Sequence, residues 1–373
     1  MGIKVVPYTP DRVDAVLAFN KRMADGNTGW GWYEHSEDEW LPKRPGVEVW
    51  REHYVAVEDG TDVRGAYALK PQPWFINGEQ VLVTDWQGPV SEGLLSRKYN
   101  TLGLRLLREM LKRYPLLYSW GHGGDEASML QMLKSLKWQI HPTPFCLRIV
   151  KPFRFLRKNR YLRGTPNRRL GLDALAMTGL GWIGLKLMHA ALSLKGLATR
   201  RAEAEHVEDF GSWADALWEK CRGDYKVIGL RDATTMNALL PREGWPHCFR
   251  LRVRRGAEDL GWVVVMDNQL SDDARFGELR VGSVVDCLAA PDDAAAVIGA
   301  ANRFLVDRGV DIIASNQAHP IWAEAFAKNG YVVLPGRRYF AASPELQKVL
   351  APFDENQAGL HLTNLDGHGP HGF

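Results

Sequence analysis

Candidate acid and base side chains follow two strand-like runs in the first half of this 373-residue chain. Asp85 ends one run, and Glu92 lies just beyond it. His122 and Asp125 follow the buried run PLLYSWG (115–121). Carboxylates and imidazoles are the side chains that most often move protons in catalysis. We therefore take Asp85, Glu92 and Asp125 as candidate catalytic groups, and His122 as a candidate contact to a substrate.

Two of these carboxylates also have a structural interpretation, which the sequence leaves open. Asp85 precedes Gly88-Pro89 and could close a turn there, because Asp is a common turn residue. Asp125 could cap a helix that begins at Glu126, because Asp is a favoured N-cap residue.

The most polar cluster of the second half is Asn316, Gln317 and His319, directly after the run VDIIAS. Asn316 and His319 are candidate contacts to a substrate. Asn316 is equally suited to hold a strand-to-helix turn, because Asn side chains bond local backbone.

Metal-binding and disulfide-forming residues are too scattered to indicate either kind of site. The four cysteines form no CxxC pair, and a chain of this size needs no disulfide staples. The N-terminus has no apolar stretch of signal-peptide length, so we expect reduced thiols in a cytoplasmic protein. The histidines and acids of the tail lie among glycines, which hold ligands poorly, and we expect no metal site. They are His361, Asp366, His368 and His371.

The composition is globular, with 45% hydrophobic and 24% charged residues, and the length suits two domains. The net charge is only +3, although one segment carries eight basic residues with no acid between them. Because the basicity belongs to one segment and not to a broad surface, we expect no DNA binding. The eight are Lys151, Arg154, Arg157, Lys158, Arg160, Arg163, Arg168 and Arg169.

Hydrophobic periodicity predicts the order strand, helix, three antiparallel strands, helix, strand, helix, strand for residues 1–150. Asp59-Gly60 and Asn77-Gly78 separate the three antiparallel strands, where hairpin turns need residues that tolerate positive φ. The run FCLRIV (145–150) is predicted to close this first domain.

The same order returns after residue 205. Strands are predicted at 247–255, 260–268 and 279–289, followed by a helix at 294–308 and a second helix at 320–329. The repeated order suggests an internal duplication.

This order resembles the GNAT acyltransferase fold, and its repetition resembles two-domain members such as Fem-type peptidyl transferases and proteins of bacterial polysaccharide loci. The most specific residues are ASNQAHPIWAEAFAKNGY (314–331) and, in the first half, SWGHGGDEASMLQMLKSLKW (119–138). The tail HLTNLDGHG (361–369) is also similar to the end of such proteins. The resemblance implies an α+β class: two tandem GNAT-type domains, each a mixed, mainly antiparallel sheet flanked by helices.

The resemblance further implies an acyl-CoA donor whose pyrophosphate binds at the N-terminus of the helix after the fourth strand, where backbone N–H groups attract anions. In the first domain that place is held by 96–103, which keeps only the last glycine of the family's usual pattern. The alternative is an ordinary solvated helix start. The candidate donor-binding residues are Arg97, Lys98, Tyr99, Asn100, Thr101 and Gly103.

The corresponding loop of the second domain is Ala290-Pro291-Asp292-Asp293. Its two acids would repel a pyrophosphate, so we expect no ordinary coenzyme A binding there. In the first domain, acyl transfer needs a base, for which Asp85 is the first candidate, and an acid for the leaving thiolate.

The connector at 151–204 is basic and then apolar. Its apolar part is too often interrupted by charge for a good membrane span, but it leaves a wide apolar face when drawn as a helix. Two interpretations stay open: a helix at an anionic membrane surface through 151–197, or a helix packed between the domains. The polar strip is Thr178, Lys186, His189 and Ser193.

We predict an acyl-CoA-dependent N- or O-acyltransferase that acts on a sugar, an amino sugar or a lipid-linked polysaccharide precursor, in the cytoplasm or at the inner membrane face. The alternatives are Fem-like transfer from aminoacyl-tRNA and a non-catalytic binding or scaffold protein. The predicted domains are 1–150 and 205–346, with the connector 151–204 between them and a tail at 347–373.

Overall fold

A computed structural model describes residues 2–37, 39–121, 128–194 and 201–370. Its strands, numbered in chain order, are β1 Ile3–Pro7, β2 Glu52–Glu58, β3 Asp62–Ile76, β4 Glu79–Ser91, β5 Leu117–Gly121, β6 Gln139–Ile149, β7 Glu203–Val207, β8 Val227–Gly229, β9 Cys248–Arg255, β10 Glu258–Gln269, β11 Arg280–Ala289, β12 Ile312–Asn316, β13 Val332–Ala342 and β14 Leu360–His361.

The α-helices are numbered in the same way. They are α1 Val13–Asp25, α2 Leu102–Arg113, α3 Ser128–Ser135, α4 Pro152–Lys158, α5 Pro166–Met177, α6 Leu180–Ser193, α7 Ser212–Cys221, α8 Ala233–Leu239, α9 Ala294–Asp307, α10 Pro320–Lys328, α11 Pro344–Val349 and α12 Phe353–Ala358.

The chain forms two compact units. The first consists of Met1–His141 together with Tyr339–Asp354, and the second of Pro142–Arg338 together with Glu355–Phe373. The chain therefore passes from the first unit to the second, returns to the first at Tyr339, and enters the second again at Glu355.

The sheet of the first unit runs β1, β2, β3, β4, β5 and then the end of β13. Neighbours from β1 to β4 are antiparallel, β4 and β5 are parallel, and Tyr339–Ala342 of β13 lies antiparallel to β5. The helix α2 packs on one face, because Leu102, Leu106 and Met110 form a stripe with helical spacing and are all buried. The helix α1 packs on the other face through Val16, Phe19 and Met23.

The sheet of the second unit has the corresponding order β7, β9, β10, β11, β12 and then β6. Only β11 and β12 are parallel along this path. A separate parallel pair joins β8 to β14, the short strand of the C-terminal tail. The predicted α+β class, with mixed and mainly antiparallel sheets flanked by helices, is confirmed.

The predicted hairpin turns are confirmed in detail. Asp59 and Gly60 have φ values of 53° and 89°, and Asn77 and Gly78 have 51° and 89°. Two successive positive φ angles are the mark of a type I′ turn, whose twist matches that of the strands it joins.

The strand that closes each unit is not the one that the sequence analysis predicted. Residues 145–150 were expected to close the first domain, but Phe145–Ile149 of β6 pairs with β12 in the second unit. The end of β13, expected in the second domain, pairs with β5 in the first unit. Local sequence predicts that a strand forms but not which long-range partner it takes, so this assignment was beyond periodicity alone.

The connector is not one helix. Gly179 has a φ of 75° and separates α5 from α6, because glycine adopts this left-handed conformation without strain. Within the described residues no single helix is long and apolar enough to cross a membrane; α5 and α6 reach that length and composition only as a pair bent by 78°. All four cysteines are free and buried.

Candidate functional site

Asp85 lies where β4 and β5 meet in the first unit. The ladder between these parallel strands pairs Thr84 with Leu117 and Asp85 with Tyr118. On the other side of Asp85, the ladder between β3 and β4 pairs it with Lys70. Both charged side chains are almost completely buried, at 1% and 0% exposure. A lysine and an aspartate at such depth are costly unless each lies near the opposite charge.

Two amides extend this polar cluster. The Nε2 atom of Gln87 donates to Oδ2 of Asp85 over 2.7 Å. Gln72 follows Lys70 by two residues on β3 and is 1% exposed, so strand periodicity places both on the same face of the sheet. The ring of Trp40 lies 5.8 Å from the Lys70 ammonium.

The turn interpretation of Asp85 is not what the structure has. Strand β4 continues through Gly88 and Pro89 to Ser91, with an irregularity in its ladder to β3. A β-bulge of this kind re-aims the side chains beside it.

Glu92 lies in a cluster of ion pairs. It is 5% exposed, and its two carboxylate oxygens accept from Nε of Arg22 at 2.7 Å and from Nη1 of Arg64 at 3.1 Å. Arg64 also bonds Glu58 at 2.9 Å and Asp62 at 2.7 Å. This arrangement ties the strand ends to α1 and engages both oxygens of the carboxylate that was expected to act as a base.

Lys98 and Tyr99 are also engaged by the protein. The Lys98 ammonium lies 2.8 Å from Oε1 of Glu58, and the Tyr99 hydroxyl donates to Oε2 of the same residue at 2.7 Å. The hydrogen bonds from Lys98 and Tyr99 lower the pKa of Glu58 to about 2, and the bond to Glu58 raises the pKa of Lys98. Lys98 is therefore already paired where a donor phosphate was expected.

The N-cap of α2 is not held by a side-chain hydrogen bond of this kind. Thr101 stands at the N-cap position and makes no side-chain cap bond. Arg97 and Asn100 are exposed, and a Cβ built on Gly103 would meet nothing within 4 Å. The first N–H groups of a helix have no acceptor within it, so this helix start, whose N-cap Thr101 is exposed, can accept an anion.

The equivalent helix start in the second unit is unsuited to an anion. The first three residues of α9, Ala294 to Ala296, are all buried, and the N-cap is Asp293, whose carboxylate lies 3.6 Å from Arg255. A carboxylate at this position repels a phosphate. That this loop does not hold coenzyme A in the ordinary way stays a prediction.

The C-terminal tail lies between the ends of β11 and β12 in the second unit. Nε2 of His361 donates to the carbonyl of Cys287 on β11 at 2.8 Å. On the other side, the N–H of Ala318, just after β12, donates to the carbonyl of Leu362 at 3.1 Å. The tail thus fills the place between the two parallel strands.

A buried ion-pair network holds this tail. Arg231 is 1% exposed and bonds Asp286 at 3.0 Å and Asp366 at 2.6 Å. Thr363 donates to Asp286 at 2.8 Å, and Trp262 donates to its other oxygen at 3.1 Å. Asp286 lies two residues after Val284 on β11, as Asp85 lies two residues after Val83 on β4, and the carboxylate of Asp286 is bound by other side chains of the protein.

Asn316 and His319 both make local structural contacts. Asn316 donates from Nδ2 to the carbonyl of Pro144 at 3.1 Å. His319 is the N-cap of α10 and accepts the N–H of Ile321 at Nδ1 over 3.2 Å. Burial lowers the pKa of His319 to about 4. Their role as substrate contacts stays a prediction.

Two candidates, His122 and Asp125, lie outside the described residues, as does His371 of the tail. Among the residues that the structure describes, no group of three or more His, Cys, Asp or Glu side chains could hold a metal ion. Lys70 and Gln87 were missed by sequence reasoning. The available signal for Lys70 was its spacing of two residues from Gln72 in the otherwise apolar stretch 65–76, which places both polar groups on one face.

Comparisons with known proteins find similar structures but no similar sequences. No protein-family model matches, and no curated protein matches significantly. Saccharomyces cerevisiae N-myristoyltransferase, solved with bound myristoyl-CoA and inhibitors, superposes with a TM-score of 0.52 at 10% identity, over 91% of this chain and 79% of that one. A GCN5-related N-acetyltransferase from Anabaena variabilis gives 0.50 at 9% identity, over 91% and 72%.

A third match is an Enterococcus faecalis protein described as a probable N-acyltransferase, with a TM-score of 0.51 at 8% identity, over 94% of this chain and 74% of that one. The chain has a GNAT-type acyltransferase fold. Identities this low carry the fold and not the activity. The predicted GNAT resemblance is confirmed at the level of fold, and the link to Fem-type or polysaccharide-locus proteins stays a prediction.

Proposed function

We propose that this GNAT-type chain is an acyl-CoA-dependent acyltransferase whose donor binds the first unit. The observation that carries the proposal is the exposed start of α2, where the N-cap makes no side-chain bond and Gly103 faces open space. Backbone N–H groups and the helix dipole at such a start favour a pyrophosphate. Arg97 is exposed beside it and has no ion-pair partner among the described residues, so it can add a charge-assisted contact.

The chemistry would take place beside Asp85. An amine or hydroxyl attacks the thioester carbonyl, a bond to the acyl carbon forms, the C–S bond breaks, and coenzyme A leaves as a thiolate, to which the proton lost by the nucleophile finally passes. Asp85 is the proposed acceptor for the proton lost by the nucleophile, with Gln87 orienting its carboxylate and Lys70 compensating its charge. Glu92 is assigned to the ion pairs with Arg22 and Arg64 and not to proton transfer.

For the acceptor we propose a sugar, an amino sugar or a lipid-linked saccharide. The loop after α1 presents Trp30 and Tyr33, which are 62% and 49% exposed, and it brings Trp40 close to Lys70. Flat aromatic side chains with nearby amides suit a ligand with apolar ring faces and polar edges. A glucosamine N-acetyltransferase region of a fungal multi-domain protein shares the fold, with a TM-score of 0.50 at 13% identity.

The second unit is proposed to be non-catalytic. Its Asp286 is held by Arg231, Thr363 and Trp262, and its tail lies where the parallel strands end. These contacts support one donor site per chain. The duplication is itself a proposal, and in it only the first unit would bind the donor.

Calorimetry with acetyl-CoA and with a long-chain acyl-CoA tests the proposal. One donor should bind per chain, and Arg97→Ala should weaken it about tenfold, because one charge-assisted hydrogen bond is worth about 1.5–3 kcal/mol. The matched control is Arg108→Ala, an exposed arginine farther along α2. Binding of two donors per chain would refute the asymmetry. Absence of binding, together with transfer from aminoacyl-tRNA, would establish the Fem-like alternative instead.

A further inference from the structure

Residues 153–194 expose an unusual number of large apolar side chains. Of all the large apolar side chains that the described part of the chain exposes, half lie in this segment. We call these side chains the connector patch. On α6 they include Leu180, Ile183 and Leu187, at 62%, 48% and 65% exposure. Monomeric proteins rarely leave a contiguous apolar surface uncovered unless it binds something. The complete set is Phe153, Tyr161, Leu170, Leu175, Met177, Leu180, Trp182, Ile183, Leu187 and Leu194.

One residue fixes which face of α6 points outward. His189 is buried, its Nδ1 donates to the carbonyl of Gly330 at 2.7 Å, and its Nε2 accepts from the N–H of Ile149 at 3.2 Å. A helix places residues three and four apart on the same side, so Leu185 and Leu192, both partly buried, share the inner face with His189. Ile183 and Leu187 then belong to the outer face.

The connector patch is basic as well as apolar. The only acid in residues 151–194 is Asp173, which is paired with Arg163 at 2.7 Å and with Arg157 at 3.3 Å. Within the described residues, Lys158, Arg168 and Lys186 are exposed and have no ion-pair partner. Lys186 lies on α6 three residues after Ile183, so a cation borders the apolar stripe.

These charges favour one kind of binding partner for the connector patch over another. A second copy of the same patch would bring like charges together, which is unfavourable. An anionic bilayer accepts both properties at once, because leucines and a tryptophan enter the interface while lysines and arginines meet lipid phosphates. We propose that the outer face of α5 and α6 docks this protein on an anionic lipid surface, independently of the acyltransferase proposal.

The test is co-sedimentation of the full chain with phosphatidylcholine vesicles, with and without phosphatidylglycerol, at low and high salt. Binding should require the anionic lipid and weaken with salt. A variant with Lys158→Gln, Arg168→Gln and Lys186→Gln should bind about 100-fold more weakly, since each surface charge contributes about fivefold. The control removes three exposed, unpaired cations of the first unit instead, Lys4→Gln, Lys21→Gln and Arg108→Gln, and should bind as the wild type does.

A second variant probes the apolar part. Leu180→Gln, Ile183→Gln and Leu187→Gln should abolish the binding that survives high salt and leave the circular dichroism spectrum unchanged, because these side chains are already exposed. Leu17→Gln, Leu82→Gln and Leu136→Gln, at 40%, 42% and 38% exposure, are the control. If wild-type protein ignores anionic vesicles at low salt, the proposal is refuted. The same holds if the apolar variant unfolds, or if ultracentrifugation shows a dimer that this variant dissociates.

Discussion

Lys70 lies opposite Asp85 across the β3–β4 ladder, and both side chains are buried at the point where β4 also meets β5. A buried charge left without its partner typically costs about 3–5 kcal/mol, whereas removal of both charges is often close to neutral. The pair can therefore be separated into a structural contribution and a chemical one.

Asp85→Asn should lower turnover about 10²- to 10⁴-fold and leave donor affinity nearly unchanged, as expected for a group that takes a proton in the transition state. Steady-state kinetics and calorimetry measure the two quantities. The double variant Lys70→Met with Asp85→Asn is the control for stability: it should unfold at a higher denaturant concentration than Asp85→Asn alone and remain inactive. Recovery of turnover in the double variant would show that Asp85 only compensates the lysine.

Glu92→Gln should affect stability more than chemistry. The change removes a buried charge between Arg22 and Arg64 and should lower the free energy of unfolding by about 2 kcal/mol. Turnover at saturating substrate, measured well below the unfolding transition, should stay within about threefold of wild type. A turnover loss as large as that of Asp85→Asn, at unchanged stability, would show that Glu92 takes part in proton transfer.

Gly103→Ala separates packing from ligand binding at the start of α2. Because a Cβ there meets no protein atom within 4 Å, alanine should stabilise the helix by about 0.5–1 kcal/mol. A donor pyrophosphate that approaches the backbone would meet the new methyl group, so its affinity should fall at least about tenfold. Gly171→Ala in α5, where a Cβ also meets nothing within 4 Å, should stabilise without any change in donor affinity. Equal donor affinity in both variants would move the donor site elsewhere.

Local signals predicted the strands and turns well, since Asp59-Gly60 and Asn77-Gly78 specify hairpins by their own backbone preferences. They did not predict the partners of β6 and β13, which depend on contacts distant in sequence. The candidate site was predicted only in part, and the reason is the same. Asp85 stands out at a strand end, whereas the engagement of Lys98 by Glu58 depends on residues 40 positions apart, which no spacing rule connects.

The tail network makes a prediction about the second unit. Asp366→Asn should lower the free energy of unfolding by about 3 kcal/mol, because Arg231 then loses a charged partner at 1% exposure. Chemical denaturation monitored by tryptophan fluorescence measures the change. Lys348→Gln, which removes the exposed pair with Glu345, is the control and should change stability by less than about 0.5 kcal/mol. A loss no larger than the control would mean that the tail is not held by this network.

His319 makes the stability of the chain depend on pH. Burial lowers its pKa from 6.5 to about 4 in the folded protein, so the unfolded chain takes up a proton first as the pH falls. The stabilisation is present above pH 6.5 and is lost progressively down to about pH 4, by at most about 3 kcal/mol. His319→Asn keeps an acceptor for the N–H of Ile321 at the N-cap and removes the titration. Urea unfolding at a series of pH values should then show about one proton fewer taken up on unfolding near pH 5. Burial also lowers the pKa values of His141, His189 and His361, which are unchanged in the variant and contribute to its remaining pH dependence. An identical slope for variant and wild type between pH 6.5 and 4 would mean that His319 titrates normally and is open to solvent.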